Sequence, residues 1–172
     1  MKIIFSHGQE STPYGSKIKA LTAIANNKNI VTESIDYRNI ESPDQRVKHL
    51  INTIENKYKN EDIILVGSSM GGYVSIVTAK IIQTHGVFLL APALYMDKEK
   101  YNIQNYNEIN TECVVVHGYS DDIIPYNNSV IFGNKTKSTI HLIDGDHRLN
   151  SSLSEVENLF NLFLNEILKK GN

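Results

Sequence analysis

One serine in the chain has the neighbours that a nucleophile requires. Residues 67–71 read Gly-Ser-Ser-Met-Gly, which matches the pattern G-x-S-x-G with Ser69 at its centre. A β-branched apolar run precedes the pentapeptide and an apolar stretch with helical spacing follows it, so the pattern predicts a sharp turn between a strand and a helix. The two glycines let those elements approach each other closely. The spacing therefore predicts Ser69 as a nucleophile at a strained turn.

The same turn places backbone N–H groups beside the serine. The first N–H groups of a helix have no partner within the helix, and the positive end of the helix dipole lies there. Such groups stabilise the oxyanion that forms when a hydroxyl attacks a carbonyl carbon. We expect the Met70 N–H to be one donor of this kind. A plain strand-to-helix turn without chemistry is the competing interpretation, because glycine and serine are common turn residues.

A serine nucleophile needs a base, and the six histidines of the chain differ in their suitability. The base must take the serine proton, and an acid must hold the imidazole of that base. His147 follows the last predicted strand, after an acid-bearing strand end that itself follows the serine. The order Ser, Asp, His belongs to a known arrangement of the triad, so His147 is predicted as the base. The other histidines are interpreted as structural, turn-bracing or solvated residues: His7, His49, His85, His117 and His141.

Two neighbouring carboxylates compete for the role of the acid. Asp121 and Asp122 both follow the predicted strand at residues 113–116. In a parallel sheet, ligands bind beyond the carboxyl ends of the strands, so both residues are eligible. Their position along the chain leaves the choice between them open.

The elements that position these residues alternate between strands and helices. Apolar runs typical of buried strands are separated by amphipathic helical patterns. The runs lie at residues 2–5, 30–35, 63–66, 86–90, 113–116 and 139–143. This alternation predicts an α/β fold, a three-layer α/β/α sandwich with a mostly parallel sheet of about six strands. We expect a single domain over residues 1–172.

Two helix starts are recognisable from their capping residues. Ser42 precedes Pro43 and stands three residues before Gln45, the pattern of a capping box with proline at the first helical position. Ser152 and Glu155 have the same spacing and predict a second capping box. We also expect a short helix near residues 127–132.

Residues 92–110 interrupt the alternation with a polar stretch rich in asparagine and tyrosine. We expect a short cap-like insertion that lines an acyl pocket or forms a small lid, with a solvated surface loop as the alternative. The short insertion favours small, accessible acyl esters over long lipids.

Composition limits the classes of function. The 172 residues are 41% hydrophobic and 21% charged, as in ordinary globular proteins. A formal net charge of −2 gives no electrostatic reason to expect nucleic acid or an anionic membrane as partner. Apolar runs are too short for a bilayer span or a signal peptide, so we expect a cytoplasmic protein. Cys113 is expected to be a buried structural thiol, and no motif calls for a metal or another cofactor.

Three segments together resemble the α/β-hydrolase superfamily. They are residues 67–71, residues 117–125 with the pattern His-Gly-x-x-Asp-x-x-Ile-Pro, and residues 145–147 with Gly-Asp-His. His7-Gly8 in a loop running to Lys17, together with residues 90–93 and 146–149, is further similar to small, minimally capped bacterial esterase-like hydrolases of the YqiA type. Residues 2–5 resemble the third strand of the superfamily, so the sheet is expected to lack the first two strands.

The resemblance implies a catalytic triad and an oxyanion hole. Its members are the nucleophile Ser69, the acid Asp121, the base His147, and the backbone N–H groups of Gln9 and Met70. Asp122 is then a solvated neighbour or a helix cap. The implied activity is cleavage of small carboxylic esters through an acyl-enzyme, with no cofactor and no metal.

Other functions are compatible with the same residues. A thioesterase or a peptidase uses the same triad. A catalytically weak hydrolase-fold protein that mainly binds a protein partner is the alternative from another class, since a fold does not determine a function. A blocked pocket and a complementary surface patch would favour that alternative.

Overall fold

A six-stranded sheet runs through the centre of the molecule. The computed structural model describes residues 1–107 and 109–170. The strands are β1 Lys2–Ser6, β2 Val31–Ile35, β3 Ile63–Ser68, β4 Gly86–Leu90, β5 Glu112–Gly118 and β6 Thr139–Ile143. They lie in the order β2-β1-β3-β4-β5-β6, and every neighbouring pair is parallel. The predicted fold class is confirmed.

Five helices cover the two faces of the sheet. They are α1 Ser16–Asn27, α2 Pro43–Lys57, α3 Met70–Ile81, α4 Tyr126–Thr136 and α5 Leu153–Lys170. The helices α2, α3 and α4 pack on one face, and α1 and α5 pack on the other. Among the described residues, no helix is both long and apolar enough to cross a bilayer.

The central strands contribute side chains to both cores. In β3, Leu65 packs in the core under α2 and α3, whereas its neighbour Val66 packs in the core under α1 and α5. Val87 and Phe88 of β4 divide in the same way. Successive side chains of a strand point to opposite faces, so a strand covered on both sides needs a continuous apolar run. The apolar runs in the sequence have this structural cause.

The two predicted helix starts have different outcomes. The Ser42 hydroxyl accepts from the Gln45 N–H at 3.3 Å, so the first cap is confirmed. The second capping box is wrong, because the Ser152 hydroxyl donates to the Asp144 carbonyl instead. The Glu155 N–H bonds to the Ser152 carbonyl at 3.1 Å. Ser152 therefore fastens the loop that follows β6 rather than the first turn of α5.

The helix expected near residues 127–132 is longer than its pattern indicated, since α4 continues to Thr136. A Cβ built on Gly133 would lie 2.4 Å from Ile140 Cγ1, so the glycine lets α4 pack directly on β6. This tertiary contact stabilises a turn of helix that contains a glycine.

Residues 92–107 and 109–110 belong to an irregular segment between β4 and β5, and its tyrosines are turned inward. Tyr101 and Tyr106 are 7% and 1% exposed and belong to the core under α2 and α3. The Tyr73 hydroxyl of α3 accepts from the Ile103 N–H at 3.1 Å, and Lys80 donates to the Asn105 carbonyl at 2.8 Å. This burial argues against a solvated surface loop.

Candidate active site

The turn after β3 holds Ser69 in a strained backbone conformation. Ser69 has φ 55° and ψ −122°, a combination that a residue with a side chain rarely adopts. Its N–H donates to the Leu90 carbonyl at 2.9 Å, and its carbonyl accepts from the Ala93 N–H at 3.0 Å. The end of β4 therefore holds the turn on one side, while α3 begins at Met70 on the other.

Two glycines allow the close packing of this turn. A Cβ built on Gly67 would lie 2.2 Å from the Gly71 carbonyl oxygen, and one on Gly71 would lie 1.9 Å from the Ser6 carbonyl oxygen. A larger residue at position 67 would push α3 away from β3, and one at position 71 would push α3 away from the end of β1 and the loop that follows it. The glycines of the G-x-S-x-G pattern thus permit the close approach that their spacing predicts.

Ser69, His147 and Asp121 form a continuous chain of hydrogen bonds. The Ser69 hydroxyl donates to His147 Nε2 at 3.0 Å, and His147 Nδ1 donates to Asp121 Oδ2 at 2.8 Å. The His147 ring is 18% exposed, and the Asp121 side chain is 0% exposed. Of the two carboxylates that chain position left open, the structure brings Asp121 to the imidazole, whereas Asp122 is exposed.

The Asp121 carboxylate accepts four hydrogen bonds. Its Oδ1 accepts from the backbone N–H groups of Ile123 at 2.9 Å and Ile124 at 2.8 Å, and its Oδ2 accepts from His147 and His117. Burial raises the pKa of the Asp121 carboxyl, but the four donors outweigh burial and hold that pKa well below its usual range. Asp121 is therefore ionised, and it acts only as an acceptor.

His117 is a neighbour of the acid that the sequence analysis missed. Its Nε2 lies 2.9 Å from Asp121 Oδ2 and 3.0 Å from the Ile124 carbonyl, and both partners are acceptors. Nε2 therefore carries a proton. Its Nδ1 lies 2.7 Å from the Ser129 hydroxyl, and the ring is fully buried. The available signal was the four-residue spacing in the His-Gly-x-x-Asp pattern.

The loops that carry the acid and the base pack backbone to backbone. A Cβ built on Gly118 would lie 2.1 Å from the Gly145 carbonyl oxygen, and the Ser120 N–H donates to the same oxygen at 3.0 Å. Lys17 of α1 binds the loop that carries His147, because its ammonium donates to the Arg148 carbonyl at 2.7 Å. Burial lowers the pKa of the Lys17 ammonium to about 8.

The loop after β1 lies directly beside the serine. A Cβ built on Gly8 would lie 3.4 Å from the Ser69 Cβ. His7 Nδ1 donates to the Gly8 carbonyl at 2.7 Å, and His7 Nε2 accepts from the Tyr37 N–H at 3.0 Å. These partners select the neutral ring, and burial lowers the pKa of His7 below its ordinary value. His7 braces the loop, as its sequence position indicated, while Gln9 lines the cavity that follows.

A cavity of about 750 Å³ opens over Ser69. Gln9, Met70 and His147 line it near the serine, and Met96 and Tyr101 line it from the irregular segment between β4 and β5. The predicted oxyanion donors therefore belong to residues that share one cavity with the serine and the imidazole.

Nothing in the described part of the chain groups three or more histidine, cysteine, aspartate or glutamate side chains in a way that could hold a metal ion. Cys113 is buried in β5, and burial raises the pKa of its thiol to about 12. A protonated, buried thiol is unreactive, in agreement with the structural role that was predicted.

Solved structures with the same architecture identify the fold. A Xanthomonas campestris pv. campestris protein of the alpha/beta hydrolase superfamily matches with a TM-score of 0.87 at 21% identity, over 96% of this chain and 98% of that chain. Est1E from Butyrivibrio proteoclasticus matches with a TM-score of 0.85 at 18% identity, over 98% and 88%. An esterase from Pyrococcus furiosus matches with a TM-score of 0.76 at 14% identity, over 96% and 81%. These matches show the α/β-hydrolase fold.

Comparison at the level of sequence is more restricted. No curated protein matches the chain. The family model for UPF0227, an uncharacterised protein family, matches residues 2–108, which is more than half of the 172 residues and includes the turn around Ser69. The resemblance to α/β-hydrolases drawn from the motifs is confirmed. The chain belongs to the family UPF0227 and has the α/β-hydrolase fold.

Proposed function

We propose that the protein is a serine hydrolase that cleaves small carboxylic esters. The observation that carries the proposal is the hydrogen-bond chain from Ser69 through His147 to Asp121, with distances of 3.0 and 2.8 Å. Structures of the same fold add support for ester substrates. One of them is an esterase, and Est1E has been solved with ferulic acid, a carboxylic acid, bound to it.

The ground state of the site is prepared for proton transfer. Because Asp121 is ionised and accepts from His147 Nδ1, the proton of the neutral imidazole is on Nδ1 and the lone pair on Nε2 faces the serine hydroxyl. Ser69 attacks the ester carbonyl carbon while Nε2 takes its proton. The carbonyl π electrons move to oxygen, and the N–H groups of Gln9 and Met70 hold that oxyanion.

The second half of the reaction uses the same groups in reverse. The tetrahedral intermediate collapses, the bond to the alcohol oxygen breaks, and His147 Nε2 donates its proton to that oxygen. Water then attacks the acyl-enzyme while Nε2 takes a water proton. The second collapse releases the carboxylic acid and returns the proton to Ser69. Asp121 stabilises the imidazolium that forms in each half.

The cavity gives no support to the alternative of a blocked, binding-only protein. A volume of about 750 Å³ with Ser69 and His147 in its lining leaves the nucleophile accessible to a small molecule. Cleavage of a thioester would use the same residues and the same acyl-enzyme. It differs from ester cleavage only in the leaving group, which is a thiol instead of an alcohol. A short acyl chain is favoured because the segment between β4 and β5 is short.

Labelling with a fluorophosphonate tests the proposal directly. Intact mass should show one adduct per native chain, none on Ser69→Ala, and slowed labelling of His147→Ala and Asp121→Asn. Nitrophenyl esters of two, four, eight and twelve acyl carbons, together with an acetyl thioester, then rank substrates, and we expect the shortest esters to have the highest kcat/KM. A folded native protein that is neither labelled nor active on any of these compounds would overturn the proposal.

A further inference from the structure

A buried arginine lies behind the loop that precedes Gln9. Arg46 of α2 is 2% exposed, and its guanidinium donates to four backbone carbonyls. The acceptors are Ile40 at 2.6 Å, Tyr37 at 3.2 Å, His7 at 3.4 Å and Gly8 at 3.4 Å. It makes no ion pair with any carboxylate in residues 1–107 and 109–170. Buried arginine is rare without a charged partner, so its backbone contacts call for a reason.

The Arg46 contacts determine which way one peptide unit faces. The Gly8 carbonyl accepts from both Arg46 and His7 Nδ1. The described chain contains no cis peptide bond, and in a trans peptide the N–H points opposite to the C=O of the same unit. The Gln9 N–H therefore points away from Arg46. Gly8 and Gln9 line the cavity and Arg46 does not, so this direction leads toward the cavity and Ser69.

We propose that Arg46 is a positioning residue for the oxyanion hole, which holds the Gly8–Gln9 peptide with its N–H toward Ser69. This proposal rests on the proposed hydrolase function. Glycine adopts many backbone conformations, so the peptide that follows Gly8 needs an external anchor. In the reversed orientation, the Gly8 carbonyl would face the oxyanion and repel it. Arg46, which does not line the cavity, prevents that reversal together with His7, because both side chains bind the Gly8 carbonyl.

Arginine suits this position better than lysine does. Its planar guanidinium has five N–H donors in a rigid fork, which lets one side chain bind carbonyls of the two separate loops at residues 7–8 and 37–40. Lysine would keep the charge but not the fork. The positive charge at the carbonyl end also polarises the peptide and strengthens its N–H as a donor. Comparison of Arg46→Lys with Arg46→Met therefore separates the effect of the forked donor geometry from the effect of the positive charge.

Steady-state kinetics on a short nitrophenyl ester tests the proposal. Removal of one oxyanion donor lowers kcat by about 10²- to 10³-fold in other enzymes. We expect kcat to fall by about 100-fold in Arg46→Met and about 10-fold in Arg46→Lys, with KM within about threefold, because the hole binds the transition state rather than the ester. Arg38→Met is the matched control, since Arg38 is exposed and paired with Asp36.

A second readout separates positioning from a general loss of stability. A trifluoromethyl ketone forms a hemiketal on Ser69, and an intact oxyanion hole lowers the pKa of the hemiketal hydroxyl. Titration by ¹⁹F NMR should show this pKa raised in both Arg46 variants and unchanged in Arg38→Met. If Arg46 had only a structural role, its substitution would lower the melting temperature and leave the pKa of the hemiketal hydroxyl unchanged.

The outcomes are distinguishable. An active native enzyme with unchanged kcat and hemiketal pKa in folded Arg46 variants would overturn the positioning role alone. An inert native protein would overturn the hydrolase function and the role of Arg46 with it. If the Arg46 variants do not fold, the proposal is tested on the native protein by NMR. The Gln9 amide proton should shift downfield when the trifluoromethyl ketone adduct forms, because the Gln9 N–H then donates to the oxyanion. An unshifted Gln9 amide would overturn the proposal.

Discussion

The two halves of the candidate site are held by different kinds of contact. The acid–base half is a set of side chains that bind one another, with His147 and His117 at 2.8 and 2.9 Å from one oxygen of Asp121. The proposed oxyanion half consists of the backbone N–H groups of Gln9 and Met70, and Arg46 binds the Gly8 carbonyl in the loop that carries Gln9. Activity should therefore depend on side-chain identity in the acid–base half. In the oxyanion half, it should depend on the direction in which the backbone N–H groups point.

Ser69→Ala removes the atom on which both halves act. We expect kcat to fall by about a million-fold, as for the loss of the serine in a comparable triad. The protein should remain folded, since the one hydrogen bond that the Ser69 hydroxyl makes within the described residues is to His147 Nε2. Ester hydrolysis with the melting temperature as control measures this. A variant within tenfold of the native rate would show that another group is the nucleophile.

Asp121→Asn tests the acid–base half through one side chain. The amide favours the wrong imidazole tautomer, so kcat should fall by roughly 10⁴-fold. The exposed neighbour Asp122 provides the matched control, and Asp122→Asn should retain kcat within about twofold. Equal effects of the two substitutions would contradict the assignment of Asp121.

Gln9 tests whether the oxyanion half depends on backbone. Gln9→Ala keeps the N–H and should leave kcat within about threefold, whereas Gln9→Pro removes the N–H and should lower kcat by about 10²- to 10³-fold. Circular dichroism checks that both variants fold. If alanine is as harmful as proline, the Gln9 side chain takes part and the contrast between the halves fails.

His117→Leu removes one of the four donors to Asp121. A hydrogen bond to a charged group contributes about 1.5–3 kcal/mol, so we expect the free energy of unfolding to fall by about 2 kcal/mol. We expect kcat to fall by about tenfold, because Asp121 and His147 are less firmly placed. Ser129→Ala, which removes only the partner of His117 Nδ1, should have a smaller effect. Urea denaturation and ester kinetics measure both quantities.

Asp121 should also contribute to acid sensitivity. Its pKa in the folded protein is well below its usual range, and the value in an unfolded chain is about 3.9. Its hydrogen bonds therefore stabilise the fold fully above about pH 4, and this stabilisation is lost as the pH falls from there through the folded pKa. Urea denaturation between pH 7 and pH 3 should show a weaker pH dependence for Asp121→Asn. An identical slope would contradict the role of ionised Asp121 in stability.

Much of the fold could be predicted from local patterns. Strands buried on both faces require continuous apolar runs, and four predicted strands match β1, β2, β4 and β6 to within one residue. The second capping box could not be excluded in advance, because Ser152 is bound by the Asp144 carbonyl of a loop that only the folded chain brings near. The extension of α4 through Gly133 likewise depends on contact with β6.

The candidate site also contains residues that local patterns predict and residues whose contacts these patterns do not reveal. Ser69, Asp121 and His147 were named from motifs because parallel strands end at one edge of a sheet, and the structure brings the three within hydrogen-bond distance. His117 lies in one of these motifs, but its position before a glycine at a strand end favours a turn-bracing role. Arg46 lies four residues before Leu50, on the buried stripe of α2, yet spacing alone does not reveal what a charged residue there binds.

Local patterns in the chain specify the order of strands and helices along it, the α/β fold class, and the side chains predicted to lie at the carboxyl ends of the strands. Periodicity and motifs involve residues that are close together in the chain, so features that depend on them can be predicted from the sequence. Two other features become visible only in the folded chain: His117 and His147 share one oxygen of Asp121, and Arg46 of α2 binds the carbonyl of Gly8. Such contacts depend on distance and direction between segments far apart in the chain, and local patterns carry no information on either.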